Sequence, residues 1–177
     1  AAGGGYTPVA GDWDGTSSAL RADVASIAAK GVSTLTDADL EPLVAEAVNR
    51  WASAGLDASL LAKLKQVDVA VTDLPGSVLG EANGNRVSID SDAAGHGWFI
   101  DATPSSDEEY SLSATGGRLG AISAAAVDRI DLLTVVEHEL GHIAGLDDLD
   151  MLADDLMSNT LQTGVRREAV VRPTGRK

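Results

Sequence analysis

The segment from Asp131 to Gly145, DLLTVVEHELGHIAG, constrains this chain more than any other. Leu132, Leu133, Val135, Val136 and Leu140 recur at helical spacing and need a core to cover them, yet His138, Glu139 and His142 fall within the same turns. Asp131 stands where an N-cap belongs, and Gly145 stands where a helix stops and the chain can turn back without penalty. Two histidines four apart share one helix face and can aim imidazole nitrogens at a single ion. Glu139, beside the first of them, can reach a water on such an ion without being a ligand. Asp148, ten positions after His138, supplies an oxygen where a third ligand is required, and leaves one tetrahedral position open. A shifted loop register would offer Asp147 instead. The competing reading is an acidic helix end whose histidines bond to nearby acids; the Gly145 to Asp148 continuation favours a metal.

At this point a family likeness enters. HELGHIAGLDD resembles the extended zinc motif of the metzincin metallopeptidases, His-Glu-x-x-His-x-x-Gly-x-x-His/Asp, in the variant that ends with Asp. HELGH and the later LM look most like the matrixin and serralysin branch, and the specific likeness covers roughly residues 131–160. The resemblance implies that His138, His142 and Asp148 hold Zn(2+) and that Glu139 is the general base and acid. It makes Gly145 the turn into a lower lobe and Met157, in DDLMSN, the methionine turn beneath the zinc; Met151 is the weaker competitor. Two departures stand out. Aspartate replaces a third histidine, which alters zinc affinity or the acidity of its water. Asn159 occupies the place where serralysin-like members often carry a tyrosine, and Tyr110 is too remote in sequence to take that task. Gly11-Asp12 is similar to an N-terminal pair of the astacin branch whose carboxylate caps the zinc, so Asp12 is a candidate latch.

The fold so implied is α/β (α+β): a two-lobe metzincin-like zincin fold, with a twisted mixed sheet, an active-site helix and a small C-terminal lobe. Residues 1–17, rich in Gly and Ala, read as a linker or arm. Residues 18–177 read as one catalytic domain, with an upper lobe over 18–145 and a lower lobe over 146–177. The implied activity is endopeptidase action on a protein or peptide, in an extracellular or cell-surface setting.

Composition narrows the alternatives. At 177 residues the chain can bury one sizeable core. A formal charge of -14 repels phosphate backbones, which argues against nucleic acid, and makes hard cations such as Ca(2+) candidate guests. Asp90, Asp92, Asp101, Asp107, Glu108 and Glu109 are the acids that would supply calcium ligands, while Asp147, Asp150, Asp154 and Asp155 form an acidic rim near the presumed zinc loop. With no cysteine, disulfides, thiolate sites and a cysteine latch are excluded. No apolar run is long enough for membrane insertion. The linker-like start suits a piece of a larger multidomain protein. It also supports the rival function, a non-catalytic, metal-stabilised binding or adhesion module, for which Glu139 would be unnecessary.

Along the chain, SALRADVASIAAK places Leu20, Val24 and Ile27 at helical spacing, and Gly31 can end that helix. A stronger helix follows in TDADLEPLVAEAVNRWASAGL: Thr36 caps it with Asp39, Leu40, Leu43, Val44, Ala47 and Trp51 form its stripe, and Gly55 stops it. QVDVAVTDL alternates as a strand with one wet face. NRVSIDS and GWFIDAT are further strands, spaced as neighbours would be. GWFIDAT or GRLGAIS could supply a substrate-aligning edge strand. PSSDEEYS reads as a surface loop, the tail VRREAVVRPTGRK as at most a short helix, His96 as a loop histidine or second metal contact, and Trp51, Trp98 and Phe99 as core that could support a cleft.

Overall fold

In the computed structural model, which describes residues 19–24, 32–112, 118–149 and 155–170, the stronger of the expected N-terminal helices forms as α1, Asp37–Ser53. The Asp39 carboxylate accepts from the Thr36 N–H at 3.0 Å and from its hydroxyl at 2.6 Å, so the capping pair works as its spacing implies. Leu40, Leu43, Ala47, Val48 and Trp51 are buried, each worth roughly 1.5–3 kcal/mol relative to exposure for the larger side chains. Gly55, at φ +93°, ends the helix, and the Leu56 N–H reaches back to the Trp51 carbonyl. A short second helix, α2 (Ala58–Leu64), is capped by Asp57 and has no counterpart in the sequence expectations.

The main sheet is five-stranded and mixed. Its strands are β1 (Ala19–Ala22), β2 (Asp68–Thr72), β3 (Val78–Asn83), β4 (Arg86–Asp90) and β9 (Thr160–Leu161), in the order β2-β4-β3-β1-β9. β2 runs parallel to β4, and β3 forms an antiparallel hairpin with it around Gly84. The long helix α3, Leu132–Ile143, packs on α1 and crosses β3. Val87, Ile89, Leu79, Leu43, Trp51, Leu133 and Val136 meet in the resulting core. Beside it lie a three-stranded sheet of β6 (Tyr110–Leu112), β7 (Arg118–Ala121) and β10 (Val165–Arg167), and a two-stranded pair of β5 (Trp98–Phe99) and β8 (Ile130–Asp131). The class is thus α+β with a mixed sheet. Among the described residues no helix is long and apolar enough to cross a membrane.

Four expectations change. The segment expected to open a helix at Ser18 is the strand β1: Leu20 and Ala22 are buried at spacing two, while Val24 is 66 % exposed. Pairing on both sides overrides the local helical spacing, which rested on three residues. NRVSIDS and GWFIDAT are strands but not neighbours, because Ala93 and Ala94 at positive φ turn the chain away and β5 pairs with β8. The tail forms β10 rather than a helix; its Arg166 is fully buried. PSSDEEYS is not wholly a surface loop, since Asp107 bonds to both Arg50 and Arg166, and Tyr110 is buried. Residues 1–17, with Asp12, and Met151, Asp150 and Asp154 lie outside the described residues, as does Ile27.

Arg166 explains why β10 exists. Its guanidinium grips Asp131 in a bidentate pair at 2.8 and 3.0 Å, reaches Asp101 and Asp107 at 2.8 Å each, and lies 4.4 Å above the Tyr110 ring. Replacing it leaves buried carboxylates without their cation. Arg166→Met is expected to destabilise the fold by about 3–5 kcal/mol, read from urea unfolding monitored by circular dichroism; a change within the noise of the measurement would mean that the clamp is not structural.

Candidate metal centre

The site is built outward from α3. Asp131 caps it, accepting from the Thr134 N–H at 3.1 Å and hydroxyl at 2.6 Å, and the helix then runs buried through Leu140 and Gly141. At its far end Gly145, at φ +92°, closes a Schellman turn: its N–H bonds to His142 O at 2.9 Å, and Leu146 N–H bonds to Gly141 O at 3.0 Å. The reversed chain then pairs Leu149 with Ser158, its N–H reaching the Met157 carbonyl at 2.7 Å. That bridge brings Asp148 back over the helix. A third helical glycine role sits at Gly141, where a Cβ would lie 2.6 Å from the Met157 sulfur and 3.1 Å from the Trp51 ring. Met157 therefore packs directly against the histidine-bearing helix.

Ligand atoms of His138, His142 and Asp148 converge. The two Nε2 atoms are 2.9 Å apart, and Asp148 Oδ1 is 3.3 Å from each. A triangle of that size suits three ligands each about 2 Å from a common centre. Asp148, whose side chain is 30 % exposed, carries the oxygen; Asp147 is exposed and outside the cluster. The hydrogen bonds behind the rings decide what these atoms can do. His138 Nδ1 lies 2.8 Å from Leu156 O, and His142 Nδ1 lies 2.9 Å from Leu146 O. A carbonyl only accepts, so each Nδ1 carries the hydrogen and each Nε2 presents a lone pair to the cluster. Two lone pairs and a carboxylate oxygen facing one another need a cation between them. Without a metal, one proton serves. Burial holds His138 below the usual imidazole range, whereas at His142 the Asp148 and Glu139 carboxylates outweigh burial and raise it. Asp148, though partly desolvated, is held well below the usual carboxylate range by its two imidazole partners.

Glu139 faces the sheet side of the same helix. Its exposure is 0 %, Oε1 accepts from the Leu20 N–H at 3.3 Å, and Oε2 is buried without a hydrogen-bond partner among the described residues. It fits only because β3 offers a glycine: a Cβ on Gly80 would sit 2.8 Å from Glu139 Cγ. β7 is the central strand of its sheet, so GRLGAIS offers no free edge there; the strands that meet Glu139 are β3, through Gly80, and β1, through the Leu20 N–H. Gly80 and Leu20 are the site residues that sequence reasoning missed. A lone glycine in the strand pattern VLGEAN was the available signal, because it marks a close approach of backbone to something else.

Several of the remaining candidates are engaged elsewhere. His96 Nε2 lies 2.9 Å from the Val24 carbonyl. Asp90 accepts backbone N–H groups from Leu74 and Ala94, Asp101 and Asp107 are bound to Arg166, and Glu108 to the hydroxyls of Thr103 and Ser106. Among the described residues these acids do not gather into a second cation-binding group. Asp155 accepts the Met157 N–H at 3.0 Å.

Burial pushes the Glu139 carboxyl up to about 8, against the pull of His142. Its folded pKa exceeds the unfolded value near 4.5, so between those values the folded chain holds a proton that the unfolded chain has lost. The contribution to stability is full below the unfolded pKa and falls as pH rises toward 8. In chelator, the urea midpoint of the native protein should therefore drop between pH 5 and 8 relative to Glu139→Gln, by an amount worth a few kcal/mol. Parallel profiles would mean that the carboxyl ionises freely in the fold.

Compared with protein-family models, with curated proteins and with solved structures, the chain matches none, so the reading of this centre rests on its own geometry.

Proposed function

We propose that the chain is a zinc-dependent endopeptidase of two-lobe, metzincin-like architecture, acting on a protein or peptide. The observation that carries this reading is the convergence of three acceptor atoms, the two imidazoles fixed from behind, beside a buried carboxyl that is not one of them. Two imidazoles and one carboxylate suit Zn(2+), and they leave one position open in a tetrahedral ion. Zinc bound there supplies Lewis acidity toward a water and a scissile carbonyl. His138 and His142 would hold the ion through Nε2, with the Leu156 and Leu146 carbonyls keeping the rings in orientation, and Asp148 would offset part of its charge. With zinc bound, Glu139 would take the proton of the attacking water and deliver it to the leaving nitrogen. The motif's likeness to secreted peptidases supports an extracellular or cell-surface setting.

One observation favours the rival, a metal-stabilised binding module: neither solvent nor substrate reaches a carboxyl with 0 % exposure. Metal analysis and prolonged incubation with a peptide library separate the two. The peptidase reading expects about one zinc per chain, most of it lost in Asp148→Ala, and cleavage that falls ~10²–10⁴-fold in Glu139→Gln with zinc retained. Cleavage indifferent to Glu139→Gln, or none with zinc bound, favours the module. A chain that takes up no zinc sinks the peptidase reading, and one that takes up no metal sinks both.

A further inference from the structure

The element that covers Glu139 is a strand of the chain itself. β1 lies between two strands that are joined through it: antiparallel to β3, with Ala19 opposite Glu81 and Leu20 opposite Gly80, and parallel to β9, with Arg21 opposite Thr160 and Ala22 opposite Leu161. Main-chain bonds run to both sides. Ala22 N–H reaches Ser77 O at 2.8 Å, Arg21 N–H reaches Asn159 O at 3.1 Å, and Asp23 N–H reaches Leu161 O at 3.0 Å. Leu20 is the one bulky apolar side chain of β1, and it is fully buried. Its own N–H points at Glu139 Oε1, and the second carboxyl oxygen is left without a hydrogen-bond partner among the described residues.

We propose that Ala19–Ala22 is an internal strap, occupying the slot between β3 and β9 that an extended peptide enters, and that Glu139 becomes available only when this strap leaves. For the identity of the entering ligand the proposal rests on the peptidase reading. Three features suit a strand that can be exchanged. Its recognition is largely main-chain pairing, which any extended peptide reproduces. Its register with β3 breaks between Leu20 and Arg21, so the pairing is interrupted within four residues. A single anchor, Leu20, fills an apolar position directly over Gly80 and Glu139. A peptide with an aliphatic side chain at that place would satisfy the same contacts. Two facing strand edges, with a buried carboxyl at the floor between them, are what the departure of β1 would leave.

The test uses the full chain in two altered forms and a labelled peptide of residues 17–26, SSALRADVAS. Leu20→Asp puts a charge on the anchor and loosens the strap. Ala19→Cys with Glu81→Cys, facing positions in a chain with no cysteine of its own, lets a disulfide lock it. By fluorescence anisotropy, Leu20→Asp is expected to bind the peptide at least tenfold more tightly than the native chain. The oxidised double-cysteine form should bind none, and reduction should restore native binding. At equal zinc content, peptide cleavage should follow the same order. Equal peptide affinity in native, loosened and locked forms overturns the strap. Should Leu20→Asp not fold, equal binding by the oxidised and reduced double-cysteine forms overturns it alone. Loss of zinc uptake ends the peptidase reading but leaves the binding order to decide the strap.

Discussion

The bidentate pair between Arg166 and Asp131 sets the position of everything else in the site. Asp131 is at once the cap of α3 and the end of β8, and Arg166 on β10 fixes both its oxygens. The next residue adds a second tie, since the Arg167 N–H donates to the Thr134 hydroxyl at 3.0 Å. The start of α3 is thereby stapled to a strand more than thirty residues later in the chain. A helix so held, and nearly all buried, has no freedom to rotate about its axis without exposing apolar side chains or burying a charge unpaired. Its orientation fixes which way His138 and His142 face.

Within that rigid frame the ligand cluster is arranged against its own electrostatics. Two imidazoles meet a carboxylate, and the carbonyls behind the rings hold each Nδ1–H outward so that each Nε2 faces the cluster. A chain that holds such an arrangement gives up stability that a bound cation returns, because any species that binds only the folded state stabilises it by mass action. Met157 and Trp51 support the arrangement by packing: both fill the space that Gly141 leaves on the helix, and Trp51 donates to the Glu137 carbonyl at 3.0 Å. The methionine is therefore a packing residue in the described fold, two bonds of chain away from the Leu156 carbonyl that orients His138.

What the sequence made legible was local. Asp131, Thr36 with Asp39, and the glycine stops at Gly55 and Gly145 depend on spacings of three to five residues, and all act as those spacings imply. His138, His142 and Asp148 could be grouped because one helix and one tight turn span them. What stayed hidden depends on pairing over long distances. Leu20 and Glu139 are 119 positions apart, and nothing in SALRADVASIAAK tells a short helix from a strand whose two partners lie at Val78 and Thr160. Arg166 fell within a tail read as at most a short helix because its three carboxylate partners are scattered over Asp101, Asp107 and Asp131. Side-chain chemistry was readable; the identity of the partner was not.

The place of β1 follows from the same long-range logic. β3 and β9 each present an edge toward the centre of the site, and an unpaired edge beside a buried carboxyl would be both a template for stray strands and an opening for water. One short strand closes both liabilities, giving each edge a partner and Glu139 a donor. Yet the closure is made mostly of backbone pairing and one leucine, so it specifies an extended chain rather than this chain in particular. Gly80 sharpens the point, since a side chain there would collide with Glu139 and a tighter permanent seal from β3 is sterically barred. The geometry that brings the carboxyl against the sheet is thus the geometry that requires a separate strand to cover it.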